Sequence, residues 1–150
     1  MRRLFIVIAL ILLYTGCMNK EKKNEIKIKN ENIEDKAYEE KTMKFIINNN
    51  EYNVQLESND TVDELINFLP LSLEMKDLNG NEKYVYLNIT IKSNPINPGR
   101  INKGDIMLFG NNCLVLFYKS FDTTYSYTKI GHISNLPDLD KSDLFVKIDK

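Results

Sequence analysis

The chain is short of the residues that build metal and redox centres. Among its 150 residues it has one histidine, His132, and two cysteines, Cys17 and Cys113. That count excludes a histidine-rich metal site, and no acidic stretch follows calcium-loop spacing. "DLDKSD", residues 138–143, gathers three aspartates but lacks the glycine turn and terminal glutamate of such a loop. Arginine is also scarce, with Arg2 and Arg3 at the start and Arg100 far downstream. Lys and Arg total 20 against 21 Asp and Glu, so there is no basic surplus for nucleic acid. No apolar run reaches the roughly 18 residues needed to span a bilayer as a helix. No phosphate-cradling glycine loop is present, because "GDIMLFG" has the wrong spacing and reads as a strand.

What is present begins with "MRRLFIVIALILLYTG". Two arginines, a short apolar run and small residues have the layout of an export signal, which predicts a signal peptide over 1–16. An uncleaved signal anchor is the alternative, and it leaves the rest of the chain outside the cytoplasmic membrane all the same. "LYTGC" resembles the lipobox of bacterial lipoproteins, with Tyr14 where that pattern usually has leucine and Leu13 one residue further back. The resemblance implies cleavage before Cys17, lipid attachment at Cys17, and a cell-membrane location, lipid-anchored on the extracytoplasmic face.

Residues 17–42 are dense in Lys, Glu, Asn and Asp, and too poor in apolar groups to offset the entropy of ordering. They read as a disordered, charged tether with a reach on the order of 25 to 30 Å. With Cys17 lipidated, Cys113 has no partner in the chain and reads as a small buried hydrophobe.

Residues 43–150 are enough for one domain with one core. "KFII" and "YNVQL" flank an Asn-rich break and predict a hairpin. In "SNDTVDELINFLP", Val62, Leu65, Ile66 and Leu69 fall at helical spacing, with Asp60 or Thr61 as cap, Asp63 and Glu64 in the first turn, and Pro70 as stop. "LSLEMKDLNGNEKYVYL" reads as a second hairpin, alternating at Leu71, Leu73 and Met75 and turning at "NGN". Residues 88–104, rich in Pro and Gly, read as a long loop, a kind that is often functional. "DIMLFG", "CLVLFYK", "YSYTKIGHI" and "LFVKID" are strand-like, with a possible helical turn in "SNLPDLDKSD". About eight strands and one or two short helices point to a mainly β fold, either a closed antiparallel barrel or a tightly wrapped sandwich.

"GDIMLFGNNCLVLFYKSF" followed by "YSYTKIGHI", and preceded by "LPLSLEMKDLNGNEKYVYL" and the "NP…PG" loop, resembles the bacterial cyclophilin-like domain family of uncharacterised proteins. The resemblance covers nearly all of 43–150 and implies a closed barrel related in fold to peptidyl-prolyl isomerases. It does not carry their activity, since function resides in the site. Those enzymes use an arginine within a Phe-His-Arg motif on a barrel strand, and this chain has no such motif. Arg100 is the weak catalytic candidate, placed on the long loop. It would need that loop to fold over the barrel before it could stabilise a prolyl amide electrostatically.

In "CLVLFYK", Leu114, Leu116 and Tyr118 share one face while Cys113, Val115, Phe117 and Lys119 share the other. Both faces are apolar, so one fills the barrel and the other needs a cover. Two readings stand for that second face. In one, the 62–69 helix and the "NPINPG" loop close it as ordinary core. In the other, Tyr84, Tyr86, Phe117, Lys119, Phe121, Tyr125 and Tyr127 form a ligand groove. The expected function is a membrane-tethered binding module for a peptide or small ligand, without cofactor, metal or nucleic-acid partner. The alternatives are a divergent peptidyl-prolyl isomerase and a purely structural lipoprotein.

Overall fold

The computed structural model describes residues 41–150. The signal expected over 1–16 and the lipid site at Cys17 lie outside them. So does the tether expected over 17–42, apart from its last two residues, Lys41 and Thr42, both exposed.

Strands β1 (Lys44–Ile47) and β2 (Asn50–Asn53) form the Asn-rich hairpin. Asn48 and Asn49 have φ of 50° and 63°, the left-handed pair that a two-residue turn requires and asparagine tolerates. The expected strand "YNVQL" does not run on. It bends at buried Val54, whose N–H donates to Met43 O at 2.9 Å, and β3 (Gln55–Leu56) leaves to pair elsewhere.

Helix α1 (Asp60–Ile66) is shorter than its apolar spacing implies. Its cap is Asn59 rather than Asp60 or Thr61. The extended backbone of Asn59 lets its side chain accept the Val62 N–H at 3.0 Å, while its amide donates to Lys129 O. The helix stops at Ile66 with Asn67 as C-cap, ahead of Pro70, and Leu69 is buried from outside it.

Then come β4 (Leu71–Leu78) and β5 (Glu82–Tyr86), joined by the expected turn, in which the Gly80 N–H donates to Asp77 Oδ2. The long loop is not featureless, because β6 (Arg100–Ile101) lies within it and Ile96 bridges to Tyr127. The remaining strands are β7 (Asp105–Phe109), β8 (Cys113–Phe117), β9 (Phe121–Asp122), β10 (Thr128–His132) and β11 (Leu144–Asp149). "SNLPDLDKSD" forms no helix. The Asp140 and Ser142 carbonyls, which a helical turn would use, instead accept from Lys83.

Nine strands pair antiparallel in the order β2-β1-β11-β4-β5-β8-β7-β10-β3, and β6 and β9 form a separate two-stranded ribbon. The outermost strands, β2 and β3, are one residue apart in the chain. The bend at Val54 therefore brings the sheet round into a nearly closed barrel, with few unpaired edges. On the far side of that seam Gly131 pairs with Leu56, and a Cβ at 131 would lie 2.6 Å from the Gln55 carbonyl oxygen. Only glycine allows β10 and β3 to approach so closely.

The barrel interior holds Phe45, Ile47, Met75, Ile106, Leu108, Leu114, Leu116, Ile130 and Ile148, with Val62 and Leu65 of α1 in the same cluster. Each such side chain contributes about 1.5–3 kcal/mol through removal from water. Leu114 and Leu116 face this interior, as the alternation of β8 requires, and Tyr118, just past the strand's end, is buried in the same cluster.

Candidate functional site

The opposite face of β8 carries a second, smaller cluster: Ile101, Met107, Cys113, Val115, Phe117 and Tyr127. Strand register explains its layout. Tyr86 lies opposite Cys113, and Cys113 opposite Phe109. Tyr84 lies opposite Val115, and Val115 opposite Met107. Glu82 lies opposite Phe117. Alternation turns all of these outward, so β5, β8 and β7 together present an apolar lattice outside the barrel.

Cover reaches only one end of this lattice. Phe117 is fully buried, with the Phe121 ring at 5.7 Å and the Tyr127 ring at 5.5 Å between centroids. Ile101 of β6 completes the lid, which the β6–β9 ribbon holds in place. The cover is thus the ribbon and Tyr127. Helix α1, expected to share in it, packs into the interior instead.

The other end stays open as a groove of about 370 Å³. Cys113 and Val115 form its floor, Tyr84, Tyr86, Phe109, Tyr125 and Tyr127 its aromatic walls, and Leu78, Asn79 and Glu82 one end. Tyr86 and Tyr125 are 63% and 64% exposed, so their rings are available to a ligand. Tyr84 and Tyr86 meet at 5.9 Å and 82°, and Phe109 and Tyr125 at 6.2 Å and 88°. Rings set at right angles present both faces and edges to the space between them.

Four expected groove residues, Tyr84, Tyr86, Tyr125 and Tyr127, do come together here. Three do not line it. Phe117 lies beneath the ribbon, Phe121 is part of the lid, and Lys119 is exposed with its ammonium 5.8 Å from the Tyr118 ring centroid. Lys119 continues the outward parity of Phe117, but β8 ends at Phe117 and the alternation no longer sets its direction. Phe109 and Glu82 went unrecognised in the sequence, although each sits two residues from an outward-facing neighbour, Met107 and Tyr84.

Arg100 lies on β6, not in an irregular loop. Its guanidinium is 2.9 Å from Asp122 Oδ1 in an exposed pair, and it lines no part of the groove. His132 Nδ1 lies 3.0 Å from Asp105 Oδ1, and Asp105 Oδ2 accepts the Asn102 N–H. No serine or cysteine bonds to this pair among the described residues, so it braces β10 against β7 and assembles no nucleophile. Among the described residues, no group of three or more His, Cys, Asp or Glu is placed to hold a metal.

Burial, and secondarily the charge of Glu82, push the Cys113 thiol up to about 11, so it is unreactive at neutral pH. The same two causes, in the same order, raise Tyr127. Glu82 is itself raised, by burial first and then by the charge of Asp77.

On the inward side of β5, between Glu82 and Tyr84, Lys83 is 1% exposed. Its Nζ donates to Asp77 Oδ1 at 2.9 Å, Asp140 O at 2.6 Å and Ser142 O at 2.7 Å, and lies 5.0 Å from the Tyr118 ring centroid. All three ammonium protons are used. The Tyr118 hydroxyl donates to the same Asp77 oxygen at 2.5 Å. Burial alone would raise Asp77, but hydrogen bonds from Tyr118, Lys83 and Gly80 together outweigh it and hold the carboxyl below its usual range.

No curated protein matches the chain. A family model described as "Cyclophilin-like family" matches residues 45–149, a span that runs from β1 to β11 and takes in both the barrel and the groove. The chain belongs to the cyclophilin-like family.

Proposed function

We propose that this protein is a membrane-tethered, extracytoplasmic binding module whose barrel presents an aromatic groove to a peptide or small ligand. The observation that carries this reading is the open groove itself, with Tyr86 and Tyr125 largely exposed beside Tyr84 and Phe109. Exposed aromatic rings lose water favourably when a ligand covers them, and the tyrosine hydroxyls supply polar rims. Catalysis of prolyl isomerisation is not part of the proposal, because Arg100 is engaged with Asp122 away from the groove. The tether rests on the export-signal layout of 1–16 and the lipobox resemblance at Cys17.

Two measurements test this on the full chain. A proline-peptide isomerisation assay is expected to give the background rate, and activity well above background that is lost in Arg100→Ala would establish the enzyme instead. Radiolabelled palmitate fed to expressing cells is expected to mark the wild type and not Cys17→Ser. Equal label on both would remove the lipid anchor.

A further inference from the structure

Glu82 stands at the end of the aromatic groove without compensation. Among the described residues its carboxylate makes no hydrogen bond and no ion pair. Two nearby lysines, Lys83 and Lys76, are committed elsewhere, and Lys119, whose backbone N–H donates to Asn81 O, has its ammonium 5.8 Å from the Tyr118 ring centroid. Lys83 turns to the opposite face of β5 and spends its ammonium on Asp77 and two carbonyls. Lys76, cross-strand from Tyr84, reaches Glu74 at 2.7 Å and Asp143 at 2.6 Å. Glu82 lines the groove together with Cys113 on its floor and Tyr127 on its wall.

A half-buried carboxylate without a partner is unfavourable, and a cation seated beside it relieves that. Aromatic faces attract cations through their quadrupoles, most effectively where water is excluded. Here one acid and the rings of Tyr84, Tyr86, Phe109 and Tyr125 surround the same space. The volume, about 370 Å³, lies at the small-molecule end of the range for ligand sites. Resting on the reading of the groove as a ligand site, we infer that its ligand is a small organic cation carrying an alkylated ammonium group, held by the rings and neutralised by Glu82.

The test uses the full chain and two probes of nearly equal shape, choline and its uncharged isostere 3,3-dimethylbutan-1-ol. Each is titrated while NMR follows the side-chain signals of Tyr84, Tyr86, Phe109 and Tyr125. Choline is expected to bind about tenfold or more tightly than the isostere. Glu82→Gln is expected to remove most of that preference while leaving the barrel's amide spectrum unchanged. Tyr125→Ala, at an exposed position, is expected to weaken choline with the fold intact. Equal binding of the two probes, or choline binding unaffected by Glu82→Gln, overturns the cation assignment and leaves the groove as a site for neutral ligands. If neither probe shifts the groove signals, both the assignment and the small-ligand reading of the groove fail.

Discussion

Lys83 Nζ lies 2.9 Å from Asp77 Oδ1, and the lysine is almost wholly buried inside the barrel wall. Such a pair need not be more stabilising than apolar residues of the same volume, but each half is costly without the other. Lys83→Ala removes the cation paired with Asp77, which keeps only its bonds from Tyr118 and Gly80, and leaves the Asp140 and Ser142 carbonyls without the Lys83 donor, so it should destabilise the fold by about 3–5 kcal/mol. Urea denaturation of the two proteins measures this, and a loss under about 1 kcal/mol would show that the pair is dispensable.

The pH dependence of stability has a defined sign at the same place. Asp77 has a folded pKa below its ordinary 3.8. Its contribution is therefore complete above that value and is lost as pH falls through it toward the folded pKa. Glu82 acts in the opposite sense. Its folded pKa lies above the ordinary 4.5, so its ionisation opposes folding and acidification relieves it. Denaturation midpoints between about pH 6 and about pH 3 should fall less steeply for Asp77→Asn than for the wild type. Parallel curves would mean that Asp77 does not contribute.

Phe117 and Tyr125 separate packing from recognition. Phe117 is fully buried beneath the β6–β9 ribbon, and Phe117→Ala should cost about 3–5 kcal/mol. Tyr125 is 64% exposed, so Tyr125→Ala should change stability by no more than about 0.5 kcal/mol. A large loss of stability in Tyr125→Ala would mark the groove wall as part of the core.

Cys113 should resist alkylation even though it forms groove floor. With its thiol near 11, the thiolate fraction at about pH 8 is on the order of 100-fold below that of an ordinary cysteine. Mass spectrometry of the Cys113 peptide after timed iodoacetamide treatment reads this rate. Labelling as fast as a free thiol would place Cys113 in an open, polar setting.

Much of the fold is legible residue by residue. Asparagines at 48, 49 and 79 and the glycine at 80 announce two hairpins because few other residues accept those backbone angles. Alternation along 113–118 correctly divides β8 into two apolar faces, because strand geometry sends successive side chains to opposite sides. Local pattern was insufficient at Val54, where a run resembling one strand bends and joins two strands that lie at opposite ends of the sheet. It was also insufficient at Asn59, whose capping role depends on its own backbone angles and on Lys129 across the fold.

The sequence by itself determined that 43–150 forms a β-rich domain, that residues 113–118 are apolar on both faces, and that tyrosines gather near the second face. Each of these follows from local geometry and composition. Only the tertiary structure decided how that face is used. The register of β5, β8 and β7 sets Glu82, Tyr84, Tyr86 and Phe109 on one surface, and the two-stranded β6–β9 ribbon covers Phe117 but stops short of them. Lys83 was equally hidden from sequence, because its partners lie on β4 and in the segment before β11. Long-range pairing brings such groups together, and no spacing along the chain records it.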